Sequence, residues 1–418
     1  MNEDTVVRFP VPGVVEDPLS EMLRDGARQL IAQAVHAELE EFLSRHDSRK
    51  DGGGRAAVVR NGHLPERSLL TGIGPVSVKL PKTRSRDGEP AVFRSALVPR
   101  YVRRARSVDA ALPWLYLKGV STGDMAEALS VLVGPDAANL SAPVVCRLKR
   151  TWQSDYATWR QTRVDRDRWV YLWADGIYSG LRGDAGRLCV LVVVGVNNRG
   201  QKRFLAIEDG VRESTQSWRE VLLGLKARGL EVPPKLGVGD GALGFWKALE
   251  EIYPDTRQQR CWVHKTANVL NYLPKSVQGK AKAALQAIWM AETRNQAYSA
   301  FGEFVETYAA KYPKAAECLA KDQDALLAFY DFPAEHWSHI RSSNVIESAF
   351  ATIRHRTDRT KGCVSRDTML ALIFKLGLEA EKSWRRIRGF DQLAKVITGV
   401  RFRDGVEVKE EEPRKAAA

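Results

Sequence analysis

The chain has 418 residues, of which 44% are hydrophobic, and a formal net charge of +13 at pH 7. This length predicts two or three domains with large cores. Because no apolar run is long enough to span a membrane and the amino terminus lacks the parts of a signal peptide, we expect a cytoplasmic protein with no membrane partner. The five cysteines are too few and too scattered for a disulfide framework, which indicates a reducing compartment.

A helix is predicted at the amino terminus. Asp17 can cap it, Pro18 suits its first turn, and apolar residues recur at helical spacing as far as His46. We therefore expect residues 1–48 to form an amphipathic helix, whose apolar face packs either on its own domain or on a second copy of the chain. The stretch SRKDGGGRAA that follows predicts a flexible linker.

The positive charge is concentrated after this linker. Between Arg49 and Arg106 there are fourteen Lys or Arg against four Asp or Glu, a surplus of +10. A solvated basic face is one explanation, but so strong a concentration favours a polyanionic partner such as nucleic acid. We expect residues 49–106 to be a basic binding segment of short β elements and loops, with Arg103 and Arg104 among its ligands.

Residues 107–166 predict helices again. One helix covers Val108–Lys118, a second begins at Ser121 with a capping-box pattern, and a third begins near Ser141. The third helix carries three candidate nucleic-acid ligands, Arg147, Lys149 and Arg150. Two helices joined by a turn, the second of them cationic, match a helix-turn-helix, although an ordinary basic bundle has the same pattern.

The segment 167–264 combines strands with helices. RWVYLWADG, LCVLVVVGV and QKRFLAIEDG read as three strands in a meander, and the strands KLGVGD and TRQQRCWV then alternate with amphipathic helices. This order predicts an α/β fold in which helices cover a mixed sheet. Residues 265–340 predict helices only, residues 341–405 predict further helices, and residues 406–418 predict a disordered tail.

Two aspartates come where predicted strands end. Asp175 follows VYLWA and Asp240 follows LGVG, and each is followed by glycine. Asp-Gly is a common turn pair, so either residue alone is more readily explained as a turn. In combination they favour a site, because sites in open sheets form beyond the carboxyl ends of strands. Carboxylates on neighbouring strands suit a divalent metal.

A third carboxylate, Glu347, lies in the predicted helix SSNVIESAFATIRHR. A glutamate in the middle of a helix is usually solvated, so Glu347 alone indicates little. Phosphoryl transfer on DNA, however, uses two magnesium ions roughly 3.5–4 Å apart. Asp175, Asp240 and Glu347 are a candidate set for holding such a pair.

The stretch QQRCWVHK contains Cys261 and His264 at a spacing that could bind zinc. Structural zinc needs two more ligands, and no second cysteine pair exists in the chain. His336 and His339 could complete a set of four only from a distant part of the sequence. We therefore expect neither structural zinc nor a thiol-imidazole nucleophile here.

Three stretches together resemble a known family: VVGVNNRGQKRFLAIEDGVRESTQSWREVLLGLKARGL, GDGALGFWKALEEIYPDTRQQRCWVHKTANVLNYLPK and SSNVIESAF. The chain resembles the Mutator-type transposases of bacterial insertion sequences, densely from Trp169 to Pro274 and again near Ser342. RNGHLPERSLLTGIGPVSVKLPKTR and YLKGVSTGDMAEAL resemble the amino-terminal half of that family. The resemblance therefore covers nearly the whole chain.

The resemblance implies an RNase H-like catalytic domain, interrupted by an all-α insertion and preceded by a largely helical DNA-binding region. It assigns the catalytic and metal-holding roles to Asp175, Asp240 and Glu347, and the cofactor to two Mg²⁺ ions, for which Mn²⁺ can substitute. Cys261 and His264 match a Cys-x-x-His signature of the family. We expect these two residues and Asn344, of the pattern Asn-x-x-Glu-Ser, to support the site.

The resemblance also implies the partners, which are the terminal inverted repeats, the target DNA, and a second copy of the chain in a homodimer or higher oligomer. The protein would then work at the bacterial nucleoid. Arg354 and Arg356 follow the Glu347 helix and are candidate phosphate ligands, although solvated cations explain them equally well. Two rival functions keep part of the pattern: a structure-selective nuclease that cuts without joining, and a DNA-binding regulator without catalysis.

Overall fold

The computed structural model of the chain describes residues 18–105, 107–108, 115, 120, 127–128, 130, 142–180, 187–210, 212–241, 243–347, 350–351, 353 and 365–408. The chain divides into two compact units, Met1–Leu148 and Lys149–Ala418. Elements are numbered below in the order in which they occur among these residues.

The first unit contains one long helix and two small antiparallel sheets. Its elements are α1 (Pro18–Ser44), β1 (Val58–His63), β2 (Arg67–Thr71), β3 (Gly74–Val78) and β4 (Pro81–Ser85), with β1 paired to β4 and β2 to β3. α1 is the helix predicted from Pro18. Val35 packs against Val76 and Val78 of β3, and Glu38 accepts hydrogen bonds from the backbone N–H groups of Ala96 and Leu97.

Most of the predicted helix-turn-helix lies outside the described residues. Its third helix is α2, Ala142–Arg160, which begins one residue after the predicted start at Ser141. The boundary between the two compact units falls inside α2 rather than at residue 166. The second half of α2 belongs to the second unit because Tyr156 donates a 2.6 Å hydrogen bond to the carbonyl oxygen of Ile207 in β7.

The second unit contains a five-stranded mixed sheet, as the pattern of strands and helices predicted. Its strands are β5 (Trp169–Gly180), β6 (Arg187–Asn197), β7 (Lys202–Gly210), β8 (Leu236–Gly239) and β9 (Arg257–Arg260). They are ordered β7-β6-β5-β8-β9. β5, β6 and β7 form an antiparallel meander, whereas β8 and β9 run parallel to β5 because a helix precedes each of them.

Both faces of the sheet are covered. On one face, α3 (Thr215–Ala227) and α4 (Leu243–Ile252) contribute Trp218 and Phe245 to a buried cluster. On the other face, Tyr171 of β5 donates to or accepts from Nδ1 of His336 at 2.8 Å. β5 is therefore buried on both sides, which explains the continuous apolar run VYLWA.

The segment between β9 and Glu347 is helical. It contains α5 (Trp262–Leu270), α6 (Lys275–Met290), α7 (Arg294–Ala309), α8 (Pro313–Ala320), α9 (Gln323–Leu326) and α10 (Trp337–Ile340), with two short 3₁₀ turns. A further helical segment includes residues 344–347. α11 (Arg366–Glu381) and α12 (Leu393–Thr398) follow. No helix in the described ranges is long and apolar enough to cross a membrane.

The prediction that residues 406–418 are disordered is wrong for the first two of them. Val406 and Glu407 form strand β11, which pairs with β10, Phe402–Arg403. Asp404 and Gly405 connect them, both with positive φ values of 50° and 78°. Asp-Gly is a favoured pair for such a hairpin turn, and the sequence interpretation overlooked it.

The stability of the fold is expected to fall at acid pH because His339, on the far side of β5 from α3, is buried in its neutral form. His339 is held neutral because burial, Lys202 and Arg388 lower its pKa from 6.5 to about 4. Its Nε2 accepts a hydrogen bond from the backbone N–H of Arg388. The unfolded chain therefore binds a proton more readily than the folded chain between these two values, and stability falls as pH drops through that window.

We expect His339→Gln to reduce this loss of stability between pH 7 and pH 5. Gln keeps an acceptor for Arg388 but cannot be protonated. After allowance for solvent screening, the effect is about 1 kcal/mol, or about 2–4 °C in Tm. Thermal melts at both pH values measure it, with the exposed His63→Gln as the control. An unchanged pH dependence in His339→Gln would contradict the assignment.

Candidate active site

The two predicted aspartates follow paired positions of adjacent parallel strands. In the register of β5 and β8, Ala174 lies opposite Gly239, and the next residues are Asp175 and Asp240. Adjacent strands are roughly 4.8 Å apart. The fold thus brings the two aspartates side by side at the carboxyl end of β8, where Asp240 follows the strand as predicted. The predicted strand end at Asp175 is wrong, because β5 continues to Gly180 and Asp175 pairs with Val192 of β6 in the middle of the strand.

Asp175 is the more buried of the two, with 7% of its surface exposed. Its Oδ1 accepts a 2.8 Å hydrogen bond from the backbone N–H of Gly176. Burial raises the pKa of Asp175 to about 7, the negative charges of Asp240 and Glu213 add to this rise, and His264 opposes it. Negative charge is therefore costly here without a cation.

The backbone of Asp240 is fixed by two donors. Its carbonyl oxygen accepts hydrogen bonds from Nε1 of Trp246 at 2.9 Å and from Nη1 of Arg260 at 3.1 Å. The Arg260 guanidinium also lies 3.1 Å from Oδ2 of Asp322. Trp246 is buried and is therefore a core residue rather than a platform for stacked bases.

Asp322, which pairs with Arg260, also pairs with a second buried cation. Lys265 of α5 forms an ion pair with Asp322, and its Nζ also donates to the carbonyl oxygen of Cys318 at 2.7 Å. Only 1% of the Lys265 side chain and 9% of the Arg260 side chain are exposed. A single carboxylate thus pairs with two buried cations.

Cys261 and His264 lie at the start of α5, directly after β9. Cys261 is the N-cap residue and is buried. A hydrogen bond with Cys261 raises the pKa of His264 to about 9, against the opposing effect of burial, and Asp175 and Asp240 raise it further. Burial alone would raise the pKa of the Cys261 thiol, but His264 and Ser343 lower it. The thiolate form of Cys261 and the protonated form of His264 therefore stabilise each other.

Glu347 joins the same cluster through Ser343. The Oγ of Ser343 lies 3.0 Å from Oε1 of Glu347, 3.2 Å from Sγ of Cys261 and 3.3 Å from Nδ1 of His264. Oε1 of Glu347 is 4.0 Å from Nδ1 of His264. The side chains of Glu347 and His264 remain 28% and 34% exposed, so both are accessible from solvent.

His264 links the three predicted carboxylates, because it is coupled electrostatically to Asp175 and Asp240 and lies beside Glu347. Among the described residues, the potential ligand atoms that lie within 4.8 Å of one another belong to Cys261, His264 and Glu347. Asp175 and Asp240 are not part of that group.

The four-ligand zinc alternative does not fit the structure. His336, which could have completed the set, uses both ring nitrogens elsewhere: Nδ1 bonds to Tyr171, and Nε2 lies 2.8 Å from the carbonyl oxygen of Gly389. Nε2 of His339 accepts from Arg388. These histidines hold the segment after α9 against the sheet.

The predicted DNA ligands are described only in part. Arg103 and Arg150 are exposed, and Arg104 is half-buried beside β2. The side chains of Arg147 and Lys149, and all of Arg354 and Arg356, lie outside the described residues. The supporting residue Asn344 is exposed at the start of the Glu347 helix.

Sequence reasoning missed Ser343, Arg260 and Glu213. Ser343 stands directly before Asn344 in the helix that had been recognised, so its proximity to Glu347 was available from spacing. Arg260 lies next to Cys261, but its contact with Asp240 depends on the pairing of β8 with β9. No motif or spacing in the sequence distinguished Glu213 from the other polar residues before α3.

Removal of Asp322 tests the buried charge network. We expect Asp322→Ala to destabilise the chain by about 3 kcal/mol, because Lys265 and Arg260 are then buried without a counter-charge. Chemical denaturation measures the change. The exposed Asp324→Ala, two residues further along the chain, serves as the control and should cost about 0.5 kcal/mol or less. Equal effects of the two substitutions would refute the role of Asp322.

The chain is similar to known proteins over most of its length. The family described as "Transposase, Mutator family" matches residues 14–386. The transposase for insertion sequence element IST2 of Acidithiobacillus ferrooxidans is 52% identical over 282 residues, which cover 68% of this chain and 95% of that protein. The transposase for insertion sequence element IS6120 of Mycolicibacterium smegmatis is 45% identical over 294 residues, covering 70% and 90%. The chain therefore belongs to the Mutator family of transposases.

Proposed function

We propose that the protein cleaves DNA at the ends of an insertion sequence and joins those ends to target DNA, with Asp175, Asp240 and Glu347 holding two Mg²⁺ ions. The observation that carries this proposal is the register of β5 and β8, which sets the two aspartates side by side. The contact of Glu347 with His264, which is coupled to both aspartates, supports its assignment as the third carboxylate.

We assign the second unit to the RNase H-like fold. The support is its strand order, in which an antiparallel meander of three strands is extended by two strands parallel to the first. Helices are inserted between β9 and Glu347, which agrees with an insertion before the third carboxylate. The first unit and α2 are the proposed DNA-binding region, including a helix-turn-helix.

The residues of the site suit divalent metal. Carboxylate oxygens are hard ligands of the kind that Mg²⁺ and Mn²⁺ prefer. A buried oxygen of Glu213, Oε2, has no hydrogen-bond partner in the structure, and Asp175 is buried beside two other negative charges. When bound, the pair of ions activates the attacking oxygen and stabilises the leaving oxygen of a phosphodiester.

The carboxylate side chains of the site are held in fixed positions by the rest of the protein. Asp175 and Asp240 are fixed by the sheet, and the Ser343 hydroxyl orients Glu347. Water attacks the phosphodiester at an element end, which releases a 3′-hydroxyl. That hydroxyl then attacks a phosphodiester of the target, so one P–O bond forms as another breaks. No covalent bond between the protein and DNA is needed.

The proposed partners are the terminal inverted repeats, the target DNA and a second copy of the chain. The named relatives are transposases for insertion sequence elements, which supports inverted repeats as the substrate. The basic segment Arg49–Arg106 supplies the charge for phosphate contacts. Joining requires two ends to be held together, and this requirement favours a dimer or a larger assembly.

Neutral isosteres of the three carboxylates test the proposal. We expect Asp175→Asn, Asp240→Asn and Glu347→Gln each to lower cleavage and joining of paired element ends by at least about 100-fold, because the ions lose charged ligands. DNA binding should persist. A strand-transfer assay with Mg²⁺ and a gel-shift assay measure the two properties.

The exposed Asp255→Asn is the matched control and should leave joining unchanged. Cleavage without joining by the wild type would favour a structure-selective nuclease. DNA binding with neither reaction would reduce the protein to a regulator and overturn the proposal.

A supporting role for His264 predicts an intermediate effect. We expect His264→Ala to lower strand transfer by about 10–100-fold, because Ser343 and Glu347 lose a neighbour that fixes their positions. The same assay measures it. Full strand transfer by this variant would refute the supporting role, and stoichiometric zinc in the purified protein would replace it with a metal-ligand role for Cys261 and His264.

A further inference from the structure

We infer that a basic groove beside the turn between β6 and β7 binds the target duplex through its phosphate backbone. The groove has a volume of about 370 Å³, and its lining includes four cations, one carboxylate and an aromatic ring: Lys202, Arg203, Lys382, Arg386, Glu381 and Trp384. All of them belong to the second unit. The inference rests on the proposed function and extends it to the second DNA segment that joining requires.

The groove forms where the segment after α11 packs on the turn between β6 and β7. The backbone N–H of Ile387 donates to the carbonyl oxygen of Gly200 at 3.0 Å, and the ring of Trp384 lies 4.9 Å from that of Phe204 in β7. Gly200 has a φ of 76°, and a Cβ atom there would lie 2.5 Å from Cβ of Phe390. The backbones that carry the cations are therefore held together before any partner binds.

Two of the four cations, Lys202 and Arg386, form no ion pair with a carboxylate in the part of the chain that the structure describes. Lys202 is half-buried, and burial lowers its pKa. Arg386 is exposed, and its guanidinium lies 5.3 Å from the ring centroid of Phe390. The exposed Arg388 adds to this charge, because after burial it is Lys202 and Arg388 that lower the pKa of His339. Unpaired cations gathered in this way favour an anionic partner.

The other two cations of the groove are only weakly neutralised. Arg203 lies 3.7 Å from Oε1 of Glu381, and Lys382 lies 2.6 Å from Oε2 of Glu379. The cationic side chains of these pairs are 52% and 73% exposed, and exposed pairs of this kind contribute little. Both cations can therefore exchange a carboxylate for a phosphate at small cost.

The groove is separate from the proposed catalytic carboxylates. Lys202 pairs with Val196, and Val196 pairs with Tyr171, which lies four positions before Asp175. At about 3.3 Å per residue and roughly 4.8 Å per strand, Lys202 lies about 16 Å from Asp175. A duplex that contacts both places spans about five base pairs.

The target duplex is the partner that fits this position. Joining brings two DNA segments to one catalytic unit, and the basic segment Arg49–Arg106 of the first unit is the proposed site of one of them, the terminal repeat. The groove supplies cations on the catalytic unit for the other segment. A solvated basic face is the competing explanation, and in that case removal of the unpaired cations leaves DNA affinity unchanged.

The test is the binding of a random-sequence duplex by the full chain already loaded with an element-end duplex, measured by fluorescence anisotropy over a range of salt concentrations. We expect the double variant Lys202→Gln with Arg386→Gln to bind the random duplex at least about 10-fold more weakly. The slope of log K against log salt should fall by about 2, because two phosphate contacts are lost. Binding of the element-end duplex should fall less. Circular dichroism checks that the variant is folded.

Two further variants serve as controls. Lys226→Gln with Lys247→Gln removes the same charge from exposed positions on α3 and α4 and should bind the random duplex as the wild type does. Lys202→Arg with Arg386→Lys keeps both charges of the groove and should keep the slope of the wild type.

An unchanged slope in the groove variant, or an equal fall in the α3 and α4 control, would overturn the inference. An equal or larger loss on the element-end duplex would assign the groove to the element ends and overturn the target duplex as its partner. Groove-dependent binding by a wild type that neither cleaves nor joins DNA would support the groove as a DNA-binding surface and overturn the proposed function.

Discussion

The structure depends on the placement of negative charge at the centre of a buried sheet. Asp175 continues a strand that is covered on both faces, and the register with β8 puts Asp240 next to it. Such a pair is unfavourable unless positive charge compensates it. Within the described residues that compensation comes partly from His264, which is coupled to both carboxylates. A bound divalent cation would complete it.

The helices after β9 bring Glu347 beside His264. Cys261, the N-cap residue of α5, comes directly after β9, and the backbone N–H of Ser343 donates to its sulfur at 3.2 Å. The start of the Glu347 helix is therefore fixed to the end of the edge strand β9, although 82 positions separate the two contacting residues. The buried pairing of Lys265 with Asp322 anchors the intervening helices. The proposed two-metal site would need rigid support of this kind.

The mixed sheet and its helices could be predicted because apolar strands and amphipathic helices differ in period. The adjacency of Asp175 and Asp240 followed from strand order. The place of Glu213 could not be predicted, since it depends on how closely the main chain before α3 approaches α4. The hairpin at Asp404 was present in the sequence as an Asp-Gly pair and was overlooked.

The position of the bound metal tests this account most directly. Crystals of the full chain grown with Mn²⁺ allow the ions to be located by anomalous diffraction. We predict anomalous peaks between the carboxylates of Asp175 and Asp240, with Glu347 completing the coordination. Peaks only at Cys261 and His264, or none beside the two aspartates, would contradict the central claim.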